Sequence, residues 1–262
     1  MEKPKVLVGA PVYRGVKYCL KEFLTGVRNL SYENFDVLIV DNSKGDEFFE
    51  ELKKEEGSNL KVLKDDTEEE KPIMRLISSR NKILEYALEG GYDYIFMMDA
   101  DIVAPSDIIE GLLECEKDIV SGLYFGYFGV KKTKMLSIAW MPITKEEFEI
   151  MRKQVTFPSS IRSHEDLNRH LTQKEIDDNE LLEVLYPSAG CMLISRKVFE
   201  KVRYGLLDAP EGKVVSDDIY FFKKAREAGF KLYCYTKYKC DHLLEGKYKR
   251  DKRGNLLHPL LG

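Results

Sequence analysis

Two aspartates one residue apart, Asp99 and Asp101, close the apolar run Tyr94-Ile95-Phe96-Met97-Met98. An unbroken apolar run of this length reads as a strand buried on both faces, as in a parallel sheet. Ligands of open α/β sheets gather at the carboxyl ends of the strands, so the two acids stand where a site is expected. Carboxylates this close repel each other unless they share a cation or one keeps its proton. Hard oxygen donors suit Mg²⁺ or Mn²⁺, and these ions commonly accompany diphosphates. The chemistry these residues could do is metal-assisted work on a nucleotide diphosphate.

Other residues could complete such a site. Asp41, in Val40-Asp41-Asn42-Ser43, ends a second apolar strand and could bind a base amide or a ribose hydroxyl; the alternative is a cap on the following helix. Gly9-Ala10-Pro11-Val12-Tyr13 reads as a tight turn after the first strand, where an aromatic ring can lie against a base. Arg80-Asn81 falls in the helix before the Asp99 strand, and Arg80 could reach a phosphate, pair with Asp99 or stay solvated. Ser188-Ala189-Gly190-Cys191 places small residues inside a strand, which allows either close approach of a ligand or tight packing. Ser216-Asp217-Asp218 opens a helix: Ser216 is a natural N-cap and acids favour a first turn. One acid suffices for that, so the second is a candidate general base. His242 follows the last strand and could add an imidazole to the metal site. His164 and His170 lack metal-like spacing.

The elements that must position these residues alternate. Strands are expected over residues 5–10, 36–41, 60–64, 94–99 and 118–124, with helices over 17–29, 47–56, 76–89 and 105–114. Such alternation predicts a parallel, doubly wound sheet. The second half is less regular: a strand over 135–140, a polar insert over 144–184 broken near Pro158, a strand over 186–195 running into a helix, a loop over 204–216, a helix over 217–228 and a strand over 231–235. One domain is expected, with a nucleotide-binding half (1–125), an acceptor half (126–243) and a basic tail (244–262) carrying Lys247, Lys249, Arg250, Lys252 and Arg253.

The composition is 44% apolar with a net charge of −4, enough for a core and unlike a nucleic-acid-binding module. No apolar run approaches the roughly 20 residues that span a bilayer. Met1-Glu2-Lys3-Pro4 leads straight into the first strand, so a cytoplasmic protein is expected, with the basic tail available as a lid over the diphosphate or as a contact to anionic lipid at the inner membrane face. The five cysteines are scattered without a Cys-x-x-Cys pair and read as reduced thiols.

Taken together, these motifs resemble a glycosyltransferase of the GT-A fold, most similar to the inverting family 2 type, over roughly residues 4–243. Pro11-Val12-Tyr13 resembles that family's first-strand turn, Asp41-Asn42-Ser43 its base-binding turn, Arg80-Asn81 its Arg-Asn helix pair, and Asp99-Ala100-Asp101 its metal-binding Asp-x-Asp. Ser216-Asp217-Asp218, with Gly229 downstream, resembles its acceptor motif, although Asp217 stands where Glu is more usual. The resemblance implies a single GT-A (Rossmann-like) α/β domain and a donor that is a UDP- or GDP-sugar. Pro11, Val12, Tyr13, Asp41, Arg80, Asp99 and Ala100 would hold that donor. Asp101, Asp99 and His242 would hold Mn²⁺ or Mg²⁺. Asp218, or failing it Asp217, would deprotonate a hydroxyl on a saccharide, lipid-linked or protein acceptor. A retaining transferase on the same fold and a sugar-phosphate nucleotidyltransferase are the alternatives. The second of these usually has a Gly-rich basic loop after its first strand, where this chain has Gly9 to Gly15 with one basic residue.

Overall fold

The computed structural model describes residues 3–128, 134–207 and 216–244, and the backbone of 249–250 and 257 with its neighbour 256. Its centre is a mixed, mostly parallel sheet. In the first half, β1 (Val6–Val12), β2 (Phe35–Asp41), β3 (Leu60–Lys64) and β4 (Tyr94–Met98) alternate with α1 (Leu20–Arg28), α2 (Glu47–Lys53) and α3 (Pro72–Glu89). A short β5 (Ile102–Val103), α4 (Ile108–Leu113) and β6 (Ile119–Leu123) follow. The second half supplies β7 (Phe125–Phe128), β8 (Lys134–Ser137), β9 (Trp140–Pro142), α5 (Lys145–Arg152), β10 (Asn168–His170), α6 (Gln173–Asp177) and β11 (Leu181–Glu183). It ends with β12 (Cys191–Ser195), α7 (Arg196–Phe199), α8 (Asp217–Glu227), β13 (Tyr233–Lys239) and β14 (Asp241–His242).

The sheet order is β11-β13-β6-β12-β4-β1-β2-β3. β1 is parallel to β2 and β4, β2 to β3, and β6 to β13, whereas β12 runs antiparallel between β4 and β6. A strand from the second half is thus threaded into the middle of the sheet begun by the first. Alternation of side chains along each strand builds two cores. Val6, Val8, Ala10, Phe96 and Met98 face α1, α2 and α4, with Phe23, Phe48 and Ile108 packed on them. Leu7, Leu38, Ile95 and Met97 face α3, α7 and α8, with Ile83, Phe199 and Phe221. Gly9 lets α3 lie close, since a Cβ there would meet Ile83 Cγ2 at 2.3 Å.

Several boundaries differ from the sequence expectations for physical reasons. β1 runs on through Pro11 and Val12 instead of turning at Gly9. Val6 N–H bonds to Asn34 and Val12 C=O accepts from Asn42, so even-numbered residues face β2 and Pro11 faces β4. The last β1–β4 pair is Gly9 with Met97, so the missing N–H of Pro11 costs no ladder bond. α3 begins at Pro72 rather than at residue 76, with proline in the first turn, where it has no helical N–H to lose. The strand expected over 135–140 is two, β8 and β9, and the one expected from residue 186 begins at Cys191. The polar insert is organised by local caps: Thr144 and Thr172 each form a capping box, on α5 and α6. Arg169 then ties the two together through Glu147 and Glu175.

All five cysteines are free. Among the described residues, no helix is long and apolar enough to cross a membrane. Lys249 and Arg250 pair in backbone with Leu257 and Leu256; the tail's side chains, and with them the expectation of a basic lid or lipid contact, lie outside the described residues.

Candidate active site

The carboxyl ends of β1, β2 and β4 open onto a cleft of about 560 Å³. Pro11, Val12, Tyr13, Asn42, Arg80, Asp99, Ala100 and Asp101 are among its walls, so most of the residues expected to hold a donor come together there. Tyr13 is 53% exposed at this cleft, and among the described residues no aromatic ring stacks on it.

Asp41 is placed differently: it does not line the cleft. It is fully buried; Ser43 donates to Oδ1 from both its N–H and its hydroxyl, and Lys64 Nζ lies 2.9 Å from Oδ2. This is a local turn of the Asx kind and not the helix cap weighed as the alternative for that position, since the N-cap residue of α2 is Asp46. Ser43 Oγ also accepts from Arg14 N–H at 2.8 Å, so Asp41 welds the loops that follow β1 and β2.

Asp99 and Asp101 leave β4 through a turn closed by the Ile102 N–H to Asp99 C=O bond. The turn sends them to different partners. Asp99 Oδ1 lies 3.0 Å from Arg80 Nη2. Its Oδ2 faces the Gly190 backbone, where a Cβ would stand 2.6 Å from it. Gly190 is therefore needed for close packing of the site. Asp101 instead meets His242, with Oδ2 3.3 Å from Nε2. The β5–β14 pairing, His242 against Ile102, brings them together across the chain. His242 Nδ1 lies 2.7 Å from the Phe125 carbonyl, which can only accept, so Nδ1 carries a hydrogen; Nε2 donates to Asp101 when the ring is protonated and offers its lone pair to a cation when the ring is neutral. Burial pushes the His242 pKa down, but the hydrogen bond and charge of Asp101 outweigh it and leave the pKa raised.

A carbonyl-oriented imidazole beside a carboxylate is the usual ligand arrangement for a divalent ion. No group of three His, Cys, Asp or Glu suited to a metal occurs among the described residues. Mg²⁺ and Mn²⁺ tolerate this, because one or two protein carboxylates plus substrate phosphates and waters commonly fill their shell. The residues present fit such an ion at Asp101 and His242, with Asp99 committed to Arg80.

Arg80 is the centre of the site. Its side chain is 3% exposed and meets three carboxylates: Asp99, Asp217 at 2.7 Å, and Asp218. Its guanidinium also lies over the Tyr204 ring, 5.2 Å from the centroid. Asn81, its neighbour, fixes Tyr204 by two backbone hydrogen bonds, donating to C=O at 3.0 Å and accepting from N–H at 2.8 Å. Asp217 and Asp218 start α8, where Ser216 Oγ accepts from the Asp218 N–H. They differ in access: the Asp217 side chain is 3% exposed and the Asp218 side chain 26%. Burial, reinforced by the charges of Asp217 and Asp99 and opposed by Arg80, pushes the Asp218 carboxyl up to about 6. Burial likewise raises Asp99, against the pull of Arg80. A partly open carboxyl with a pKa near neutrality is suited to accept a proton.

Three contributors escaped the sequence. Tyr204 and Tyr124 are buried beside the site; the Tyr124 hydroxyl accepts from Gly190 N–H, and its ring packs edge-on against His242. Asp65, just past β3, binds Ser78, Ser79 and Lys82 and so sets the roll of α3 that turns Arg80 inward. The serine pair on α3 was the only signal available for the last of these.

The family model described as glycosyl transferase family 2 matches residues 8–203. Among solved structures, S. aureus TarS 1–349 is similar at 16% identity and a TM-score of 0.51, over 90% of this chain and 60% of that one. The same TarS fragment in complex with UDP-GlcNAc is similar at 15% identity and a TM-score of 0.53, over 92% of this chain and 61% of that one. At these identities the likeness is one of fold, and the chain spans about 60% of the TarS fragment's length. No curated protein matches the chain significantly in sequence. The architecture is the GT-A arrangement, and because the family model spans most of its length, from β1 past α7, the chain belongs to glycosyltransferase family 2.

Proposed function

We propose that this protein transfers a sugar from a UDP- or GDP-sugar to an acceptor hydroxyl, by a metal-dependent inverting displacement. The observation that carries this is the single guanidinium of Arg80, which ties Asp99 at the donor cleft to Asp218 at the acceptor side. TarS in complex with UDP-GlcNAc, a structure of similar fold, supports a nucleotide sugar as the donor.

The donor base lies along Tyr13, Pro11 and Val12, and the diphosphate lies toward Asp101. Mn²⁺ or Mg²⁺, held by Asp101 and His242, would supply Lewis-acid neutralisation of the leaving diphosphate. Asp99 hydrogen-bonds the ribose side of the donor while Arg80 fixes its orientation. Asp217 is a positioning residue: buried and bonded to Arg80, it holds the start of α8. Asp218 takes the acceptor's proton as the hydroxyl oxygen attacks the anomeric carbon opposite the diphosphate.

A thermal-shift series with UDP- and GDP-sugars, with and without Mn²⁺, tests the donor and the metal. A ligand that binds only the native state raises its stability by RT ln(1 + [L]/Kd). One nucleotide should stand out, and only with the metal. The anomeric configuration of the product, read by NMR, tests inversion; a retained anomer would move the enzyme to the retaining class.

A further inference from the structure

β9 and β10 set two rings against each other. His170 is the cross-strand partner of Trp140, and their ring centroids lie 3.7 Å apart. Phe128 meets both edge-on, at 5.7 Å from Trp140 and 4.5 Å from His170. All three are half-buried. The polar edges of this cluster are unused. His170 Nδ1 lies 2.6 Å from the Ser137 carbonyl, so it carries a hydrogen, and Nε2 is left over. Among the described residues neither His170 Nε2 nor Trp140 Nε1 has a hydrogen-bond partner, and neither atom is sealed from solvent. The indole N–H donates, while Nε2 accepts in the neutral imidazole and donates in the charged one.

Two paths join the cluster to the candidate site. Phe125, whose carbonyl faces His242, begins β7, and Phe128 ends it about 10 Å further on. Tyr186, paired in backbone with Trp140, packs its ring on Phe222, one helical turn beyond Asp218. The surroundings narrow the kind of occupant. β9 is paired with β10 on one side and bridged to Tyr186 on the other, so it has no free edge for an extended peptide. Arg169, next to His170, is held by Glu147 and Glu175 and is not free for a lipid phosphate. A sugar ring has the complementary form: an apolar C–H face that lies on an aromatic ring, and a rim of hydroxyls that both donate and accept.

We propose that Trp140 and His170 bind a sugar unit of the acceptor, so that the acceptor is an oligosaccharide with its terminal hydroxyl at Asp218. One sugar hydroxyl accepts from Trp140 Nε1, another bonds to His170 Nε2, and the apolar face of the sugar lies on the cluster. This rests on the transferase reading of the site and supplies the acceptor class that reading leaves open.

Trp140 is the only tryptophan of the chain, so its emission reports on this place alone. The full chain, with UDP or GDP and Mn²⁺ present, is titrated with maltotriose, cellotriose, chitotriose and mannotriose, and separately with phosphatidylglycerol vesicles and a Ser/Thr-rich peptide. At least one trisaccharide should shift the emission saturably. His170→Phe keeps a ring and removes Nε2; it should weaken that trisaccharide about tenfold and leave nucleotide affinity unchanged. Trp140→Phe, followed by calorimetry, should do the same. If the nucleotide binds and no trisaccharide shifts the emission, the acceptor assignment falls and the donor reading stands; a shift from vesicles or peptide alone has the same meaning. A trisaccharide that both variants bind as tightly as the wild type overturns the assignment as well. If neither nucleotide nor trisaccharide binds, the transferase reading falls and this assignment with it.

Discussion

The end of β4 and the start of α8 each present two aspartates, and they arrange them in opposite ways. The turn after β4 separates its pair, sending Asp99 to Arg80 and Asp101 to His242. The first turn of α8 gathers its pair onto one guanidinium. Separation leaves each acid with a partner of its own and keeps Asp101 open to a cation. Gathering concentrates negative charge in a buried place, which favours the protonated form of the more accessible acid. Backbone geometry thus gives four chemically identical side chains different surroundings: Asp101 meets His242, while Asp99, Asp217 and Asp218 share Arg80.

Removing the proposed proton acceptor should have the largest effect. Asp218→Ala should lower turnover by about 10²–10⁴-fold while donor binding persists, measured as sugar transfer beside nucleotide affinity. Near-normal transfer would shift the role to Asp217 and undo the contrast between the two acid pairs. Next comes the residue both pairs share. Arg80→Met leaves three carboxylates around an apolar side chain and should cost about 3–5 kcal/mol of stability, read by denaturant unfolding. The loss should shrink in acid, where those carboxylates take up protons. Asp101→Asn should erase the metal-dependent part of nucleotide stabilisation, about 2.7 kcal/mol at a nucleotide concentration of about 100 Kd. Asp99→Asn should not do so if Asp99 belongs to Arg80 rather than to the ion.

The mildest effect concerns pH. With the Asp218 carboxyl at about 6, transfer should rise as pH passes through that value and level off above it. Stability should move the other way. The folded state holds this proton more tightly than the unfolded chain does, so its contribution is complete below the ordinary carboxylate range and is lost as pH rises through about 6. Asp217→Asn removes a neighbouring charge and should move both inflections to lower pH.

Much of this site could be read from the chain because its signals are local. An apolar run ending in acids marked β4, and a serine before two acids marked the start of α8. Neither signal revealed that Arg80 would join them, since Asp217 and Asp218 lie far along the chain and the junction exists only once α3 and α8 pack on the same face of the sheet. Asp41 shows the opposite limit. Its type and place suited a ligand, but Lys64, at the equivalent end of the neighbouring strand, satisfied it first. In sequence the insert reads only as a polar stretch broken near Pro158: the capping boxes at Thr144 and Thr172 are local signals beyond that reading, whereas the Arg169 bridge between those helices depends on spatial neighbours.

The insertion of β12 between β4 and β6 also bears on how the molecule is made. As the polypeptide leaves the ribosome, β4 and β6 emerge with nothing to bridge them, and both keep bare hydrogen-bonding edges until Cys191–Ser195 has been synthesised. Exposed edges of this kind recruit one another between nascent chains. The tip that carries Asp99 is finished by the Gly190 carbonyl accepting from the Asp99 N–H, so catalytic competence must await late translation, and a chain released early would be an aggregation hazard rather than a half-active enzyme.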